Sequence, residues 1–162
     1  MNYNVLGALG MLLFLIIPVV IIYSLTLQWI DKLEKTNCRC SEGSQRDFIK
    51  YYLYAYLVLV GLTIVIAIVS AFVEFSSMKF FKAFRPFVLL IRTLMAILSI
   101  ANIIISIIYI SKLKEIDCKC SEDIRREIYY IWSIISLVVN AFIFLFIFIA
   151  AIWIYFMFRK IK

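Results

Sequence analysis

The chain has 162 residues, 65% of them hydrophobic and 17% charged, with a mean hydropathy of +1.03, whereas soluble domains are roughly 45–50% apolar and about 25% charged. It has no histidine, four glycines and two prolines, which excludes histidine-based catalysis or metal binding, a glycine-rich phosphate loop, a collagenous repeat and a disordered linker. The formal net charge is +7, and the whole balance is that of a membrane protein.

No charged side chain precedes Asp31, and residues 5–30 are almost entirely apolar. About 20 such residues cross roughly 30 Å of hydrocarbon. A secretory signal has a basic start, a short apolar run and a small-x-small cleavage site. Here residues 1–4 are uncharged and the run is too long, so it is expected to be retained as the first span. Asn2 stands where myristoylation requires glycine. Pro18, half way along, is expected to kink the helix.

A polar loop, residues 31–50, carries Cys38 and Cys40. The second span is read at residues 51–73. Residues 76–86 then interleave aromatics with Lys79, Lys82 and Arg85, a pattern suited to lipid headgroups. Nucleic acid would use the same chemistry, but three cations give no reason to expect it. The third span is read at residues 87–110, and Arg92 near its start is expected to pair with Glu74 on the same face. A second polar loop, residues 111–127, carries Cys118 and Cys120. The fourth uncharged run, residues 128–158, spans 31 residues, about 46 Å of helix, so it must tilt or protrude. Tyr129, Tyr130, Trp132 and Ser133 suit the membrane interface. Phe142, Phe144, Phe146 and Phe148 read as lipid-facing bulk.

These runs do not alternate as barrel strands would, and backbone groups in lipid must satisfy one another internally. The expected fold is therefore all-α, an integral membrane protein of four transmembrane helices. Shifting the chain by 80 residues aligns 29–50 with 109–130 without a gap. Ile30, Lys32, Leu33, Cys38, Cys40, Ser41, Glu42 and Arg46 recur as Ile110, Lys112, Leu113, Cys118, Cys120, Ser121, Glu122 and Arg126. The chain thus reads as two parallel helix–loop–helix repeats, 1–80 and 81–162, and span parity puts both Cys-x-Cys loops on one side. The loops are close to charge balance, whereas the opposite face and the C-terminal tail carry an excess of Lys and Arg. That contrast places the termini in the cytoplasm.

All four cysteines lie in the loops. Bridging Cys38 to Cys40, or Cys118 to Cys120, would strain the geometry. Bridges between the loops, Cys38 with Cys118 or Cys120, would staple them together in an oxidising compartment. A zinc site of four thiolates is the second reading, against which stands the usual C-x2–4-C spacing of zinc ligands; unpaired thiols are the third. Ser41 and Ser121, each followed by a glutamate, read as N-caps of the second and fourth spans. Arg39, Arg46, Lys119, Arg125 and Arg126 are candidates for contact with a neighbouring protein or with lipid phosphate. Asn102 and Asn140 are the strongest polar groups near mid-depth, and interhelical hydrogen bonds are the ordinary use of such residues. Ionisable groups at depth, which an ion path needs, are missing, and no catalytic set is present, so no enzymatic activity is expected.

From Cys38-Arg39-Cys40-Ser41-Glu42 to Arg46-Asp47-Phe48-Ile49-Lys50-Tyr51-Tyr52, the chain resembles small multi-pass membrane proteins of nucleocytoplasmic large DNA viruses, whose pattern is C-x-C-S followed by R-[DE]-[FY]-I. The second copy, from Cys118 to Tyr130, keeps Cys, Ser and Arg but has Ile128 at the aromatic position. The resemblance implies a non-enzymatic virion component in the membrane beneath a capsid, in contact with lipid and with neighbouring membrane or capsid proteins. From the residues alone the alternative is a small channel or transporter made of two parallel repeats.

Overall fold

The computed structural model describes the backbone of residues 3–72 and 79–160. It describes side chains over the same stretches apart from 3–9, 11–13, 15, 67–72, 79–85, 158 and 160. Four α-helices account for nearly all of it: α1 (Tyr3–Lys35), α2 (Ser44–Phe72), α3 (Lys79–Glu115) and α4 (Ile124–Lys160). Short 3-10 turns, Arg39–Ser41 and Lys119–Ser121, interrupt the two polar loops. No strand occurs among the described residues. All four helices are long and apolar enough to cross a membrane, so the chain is an integral, multi-pass membrane protein.

The helices run further than the spans read from hydropathy. Once lipid has fixed the middle of a helix, its hydrogen-bond ladder propagates into the polar flank at little cost. Lys79–Pro86, expected as part of a loop, lies within α3. Pro18 does not end α1, which continues through it without the bond that its missing N–H would make to the Phe14 carbonyl. Glu74 lies outside the described residues, and so does its expected pairing with Arg92. For Lys79, Lys82 and Arg85 the backbone is helical, but their side chains lie outside the described ones.

Each helix packs against two neighbours: α1 against α2 and α4, and α3 against the same two. A single buried cluster takes residues from all four: Tyr23, Leu27, Trp29, Ile30 and Leu33 from α1, Ile49, Tyr52 and Leu53 from α2, Tyr109, Ile110 and Leu113 from α3, and Tyr129 from α4, with Cys38 and Cys118 from the loops. The halves 1–80 and 81–162 therefore share one core. That core sits at the cysteine end of the bundle. Burial fades away from it, and between residues 134 and 157 α4 has no buried residue. The exposed surface there is apolar and includes Phe142, Phe144, Phe146 and Phe148, which suits contact with lipid tails in place of water.

Candidate functional site

The most elaborately constructed part of the molecule is the head formed by the two polar loops. α1 and α3 end in the same way. Asn37 and Asp117 both adopt φ 47°, a left-handed conformation that short polar side chains tolerate better than most. The Cys38 amide donates to the Leu33 carbonyl at 3.1 Å and the Asn37 amide to Glu34 at 3.1 Å; the Cys118 amide donates to Leu113 at 3.1 Å and the Asp117 amide to Lys114 at 3.2 Å. These paired bonds form a Schellman termination, which satisfies helix-end carbonyls and turns the chain sharply. It brings Cys38 and Cys118, in register with Leu33 and Leu113, into the core.

Two disulfides then cross between the loops. Cys38 bonds Cys120 and Cys40 bonds Cys118, with Cα separations of 5.9 and 6.0 Å. Each bridge joins a buried cysteine to an exposed one. The pairing requires both loops to lie at the same end of the molecule.

Further contacts lock the loops reciprocally. Trp29 Nε1 donates to the Ser121 carbonyl at 3.1 Å, and Tyr109 Oη donates to the Ser41 carbonyl at 2.7 Å. Each indole or phenol thus reaches from one hairpin to the 3-10 turn of the other. Lys32 Nζ meets Asp123 Oδ2 at 2.8 Å across the same gap, and Arg125 Nη1 reaches Gln28 Oε1 at 3.5 Å. The Lys32 ammonium, helped by the Arg125 backbone amide and guanidinium, outweighs burial and holds the Asp123 carboxyl below its ordinary range.

Ser41 and Ser121 are not helix N-caps. Both are fully buried, and their hydroxyls donate to the Cys38 and Cys118 carbonyls at 2.7 Å, which closes the 3-10 turns. A hydroxyl can satisfy a local carbonyl as readily as a helix end, and here α2 and α4 begin three residues further on, at Ser44 and Ile124. At α4 the cap falls to Asp123, whose Oδ1 accepts the Arg125 amide at 3.1 Å.

The five basic contact candidates separate by environment. Arg39 and Lys119 are exposed, each between the two cysteines of its loop. Arg46 is largely covered beside Asp47, and its buried Nε has no hydrogen-bond partner. Arg125 is partly covered and engaged with Asp123. Arg126 is only 8% exposed; its Nη1 donates to Ser121 Oγ at 2.9 Å and its Nη2 lies 3.0 Å from Glu127. With Leu113, Lys114, Asp117, Cys118 and Glu122 it lines a cleft of about 200 Å³.

Below the head, Asn102 makes the interhelical bond expected of it: Nδ2 donates to Tyr129 Oη at 3.0 Å, and Ser106 Oγ lies 2.9 Å from the same oxygen. Among the described residues, Asn140 bonds within its own helix: its Nδ2 donates to the Ser136 carbonyl at 2.7 Å. Tyr129, expected at the interface, is buried in the core. Trp29 and Tyr109 escaped the sequence reading although they open the aligned segments at equivalent positions; an aromatic with a donor at each was the available signal.

No family model, curated protein or solved structure matches the chain.

Proposed function

We propose that this is a non-enzymatic structural membrane protein whose disulfide-pinned head holds a neighbouring protein against the bilayer surface. The observation that carries the reading is the head itself: two cross-loop disulfides and reciprocal side-chain bonds fix a polar surface on a chain that is 65% hydrophobic. A rigid surface loses little conformational entropy when a partner docks. Arg39 and Lys119, with Glu42 and Glu122 beside them, supply exposed charge for orientation and specificity. The resemblance that the C-x-C-S and R-D-F-I residues carry implies a specific setting, the membrane beneath a viral capsid, with a capsid or membrane protein as partner.

The test is gentle detergent extraction of the native membrane or particle, followed by chemical cross-linking and affinity capture of this chain. Co-purification of a capsid or membrane protein is expected, with recovery reduced about tenfold by Arg39→Glu combined with Lys119→Glu and weakened by salt. Recovery of the chain alone as a monomer would overturn the reading. Liposomes containing the purified chain are expected to retain ions and small solutes; leakage would favour the channel alternative.

A further inference from the structure

The four sulfurs lie closer together than two bridges alone require. All four are within 4.8 Å of one another. Apart from the two bonded pairs, the sulfur separations are 3.7 Å for Cys38–Cys40, 3.8 Å for Cys38–Cys118, 3.8 Å for Cys118–Cys120 and 3.3 Å for Cys40–Cys120. A zinc ion bound tetrahedrally by thiolates at about 2.3 Å sets its sulfurs about 3.8 Å apart. Four of the six edges of such a tetrahedron are thus already within roughly half an ångström of their length. The remaining two are the disulfide bonds themselves, and they lengthen when those bonds open.

We propose that, once reduced, the same cluster is a tetrathiolate site for a soft divalent cation of the zinc class. A dithiol reductant gives each bridge two electrons and two protons, becomes a disulfide itself, and leaves two cysteine thiols. The cation then displaces the four thiol protons into solvent and forms four metal–sulfur bonds, with a net charge of −2. Arg39 and Lys119, the central residues of the two Cys-x-Cys segments, place one cation beside each thiolate pair and offset that charge. Exposed Cys40 and Cys120 give reductant and metal access, while buried Cys38 and Cys118 anchor the site to the core. The one-residue spacer does not exclude this geometry, because each loop supplies two adjacent corners and the fold brings the two loops together.

The experiment uses the full chain in detergent micelles, half of it oxidised and half reduced with a phosphine that is then removed. Thiols are counted and helix content is followed by circular dichroism. Cobalt(II) is the probe, since its visible absorption distinguishes a tetrahedral tetrathiolate from an octahedral site. The reduced chain is expected to bind one cobalt ion with the tetrathiolate spectrum, to release it to zinc, and to lose at least tenfold in affinity on Cys38→Ser. The oxidised chain is expected to bind none. A reduced, helical chain with four counted thiols that binds no cobalt, or binds it octahedrally, overturns the proposal. If the reduced chain loses its helices, native mass spectrometry decides instead, on protein produced and kept in phosphine with zinc throughout. A single bound zinc supports the site, and a metal-free mass overturns it.

Discussion

Tyr129 shows how one side chain changes role when its neighbours arrive. In the sequence it stands beside Tyr130 and Trp132 at the edge of an apolar run, the usual place for an interfacial aromatic. In the structure its hydroxyl meets Asn102 and Ser106 and its ring is only 1% exposed. Tyr129→Phe keeps the packing but leaves the Asn102 amide without its acceptor, and the Asn102 carbonyl oxygen already has no partner. An unmet buried donor costs about 1–3 kcal/mol, and interhelical bonds in membranes fall at the lower end. The expected loss is about 1–2 kcal/mol, measured by unfolding in mild detergent. Asp123 makes a pH prediction. Its folded pKa is depressed, chiefly by the Lys32 ammonium. Its contribution is therefore present above the ordinary carboxylate range, and it is lost as pH falls through the lowered folded value. Unfolding followed against pH should show an acid-side loss of stability that Asp123→Asn reduces, with little difference between the two proteins' pH dependence near neutrality.

At the scale of elements, the two loops share a backbone course: a left-handed residue, a cysteine returned to the core, and a 3-10 turn closed by serine. Asn37 and Asp117 stand at matching places in the aligned polar segments. The surroundings differ. Lys50 bridges Asp31 and Glu34 at 3.1 and 2.6 Å, whereas Tyr130 accepts from Ser111 at 3.4 Å and lies beneath the Lys114 ammonium. An ion-pair cluster on one side is thus matched by an aromatic one on the other. The disulfides join the two elements, so the oxidised chain should migrate differently on denaturing gels with and without reductant. Cys38→Ser combined with Cys40→Ser should abolish the difference and lower stability by about 2–5 kcal/mol. Oxidised wild-type protein taken from its native membrane that shows no shift would contradict the pairing.

Among the described residues, the molecule is tight at the head, and burial fades along the helices away from it. Packing there does not require water-excluding partners, since lipid tails are as apolar as the side chains they cover. The bridges require both loops to share one face. In sealed vesicles treated with a permeant reductant, an impermeant thiol reagent should label the exposed Cys40 and Cys120 from one side only. Labelling one loop from each side would be incompatible with the fold.

The sequence by itself determined that the chain crosses a membrane four times as helices. Transfer of apolar side chains into lipid is nearly additive along a run of about 20 residues, and the backbone then has no alternative to the helix. It also located the two cysteine loops, because their charges and recurring residues stand out against apolar surroundings. Only the tertiary structure decided that Cys38 pairs with Cys120 and Cys40 with Cys118. It alone turned Arg126, Ser41 and Ser121 into buried supports, and sent Asn102 to another helix while Asn140 bonds within its own. These outcomes depend on which groups meet across sequence separations as large as 82 residues, and local patterns of charge and hydropathy do not encode such distances.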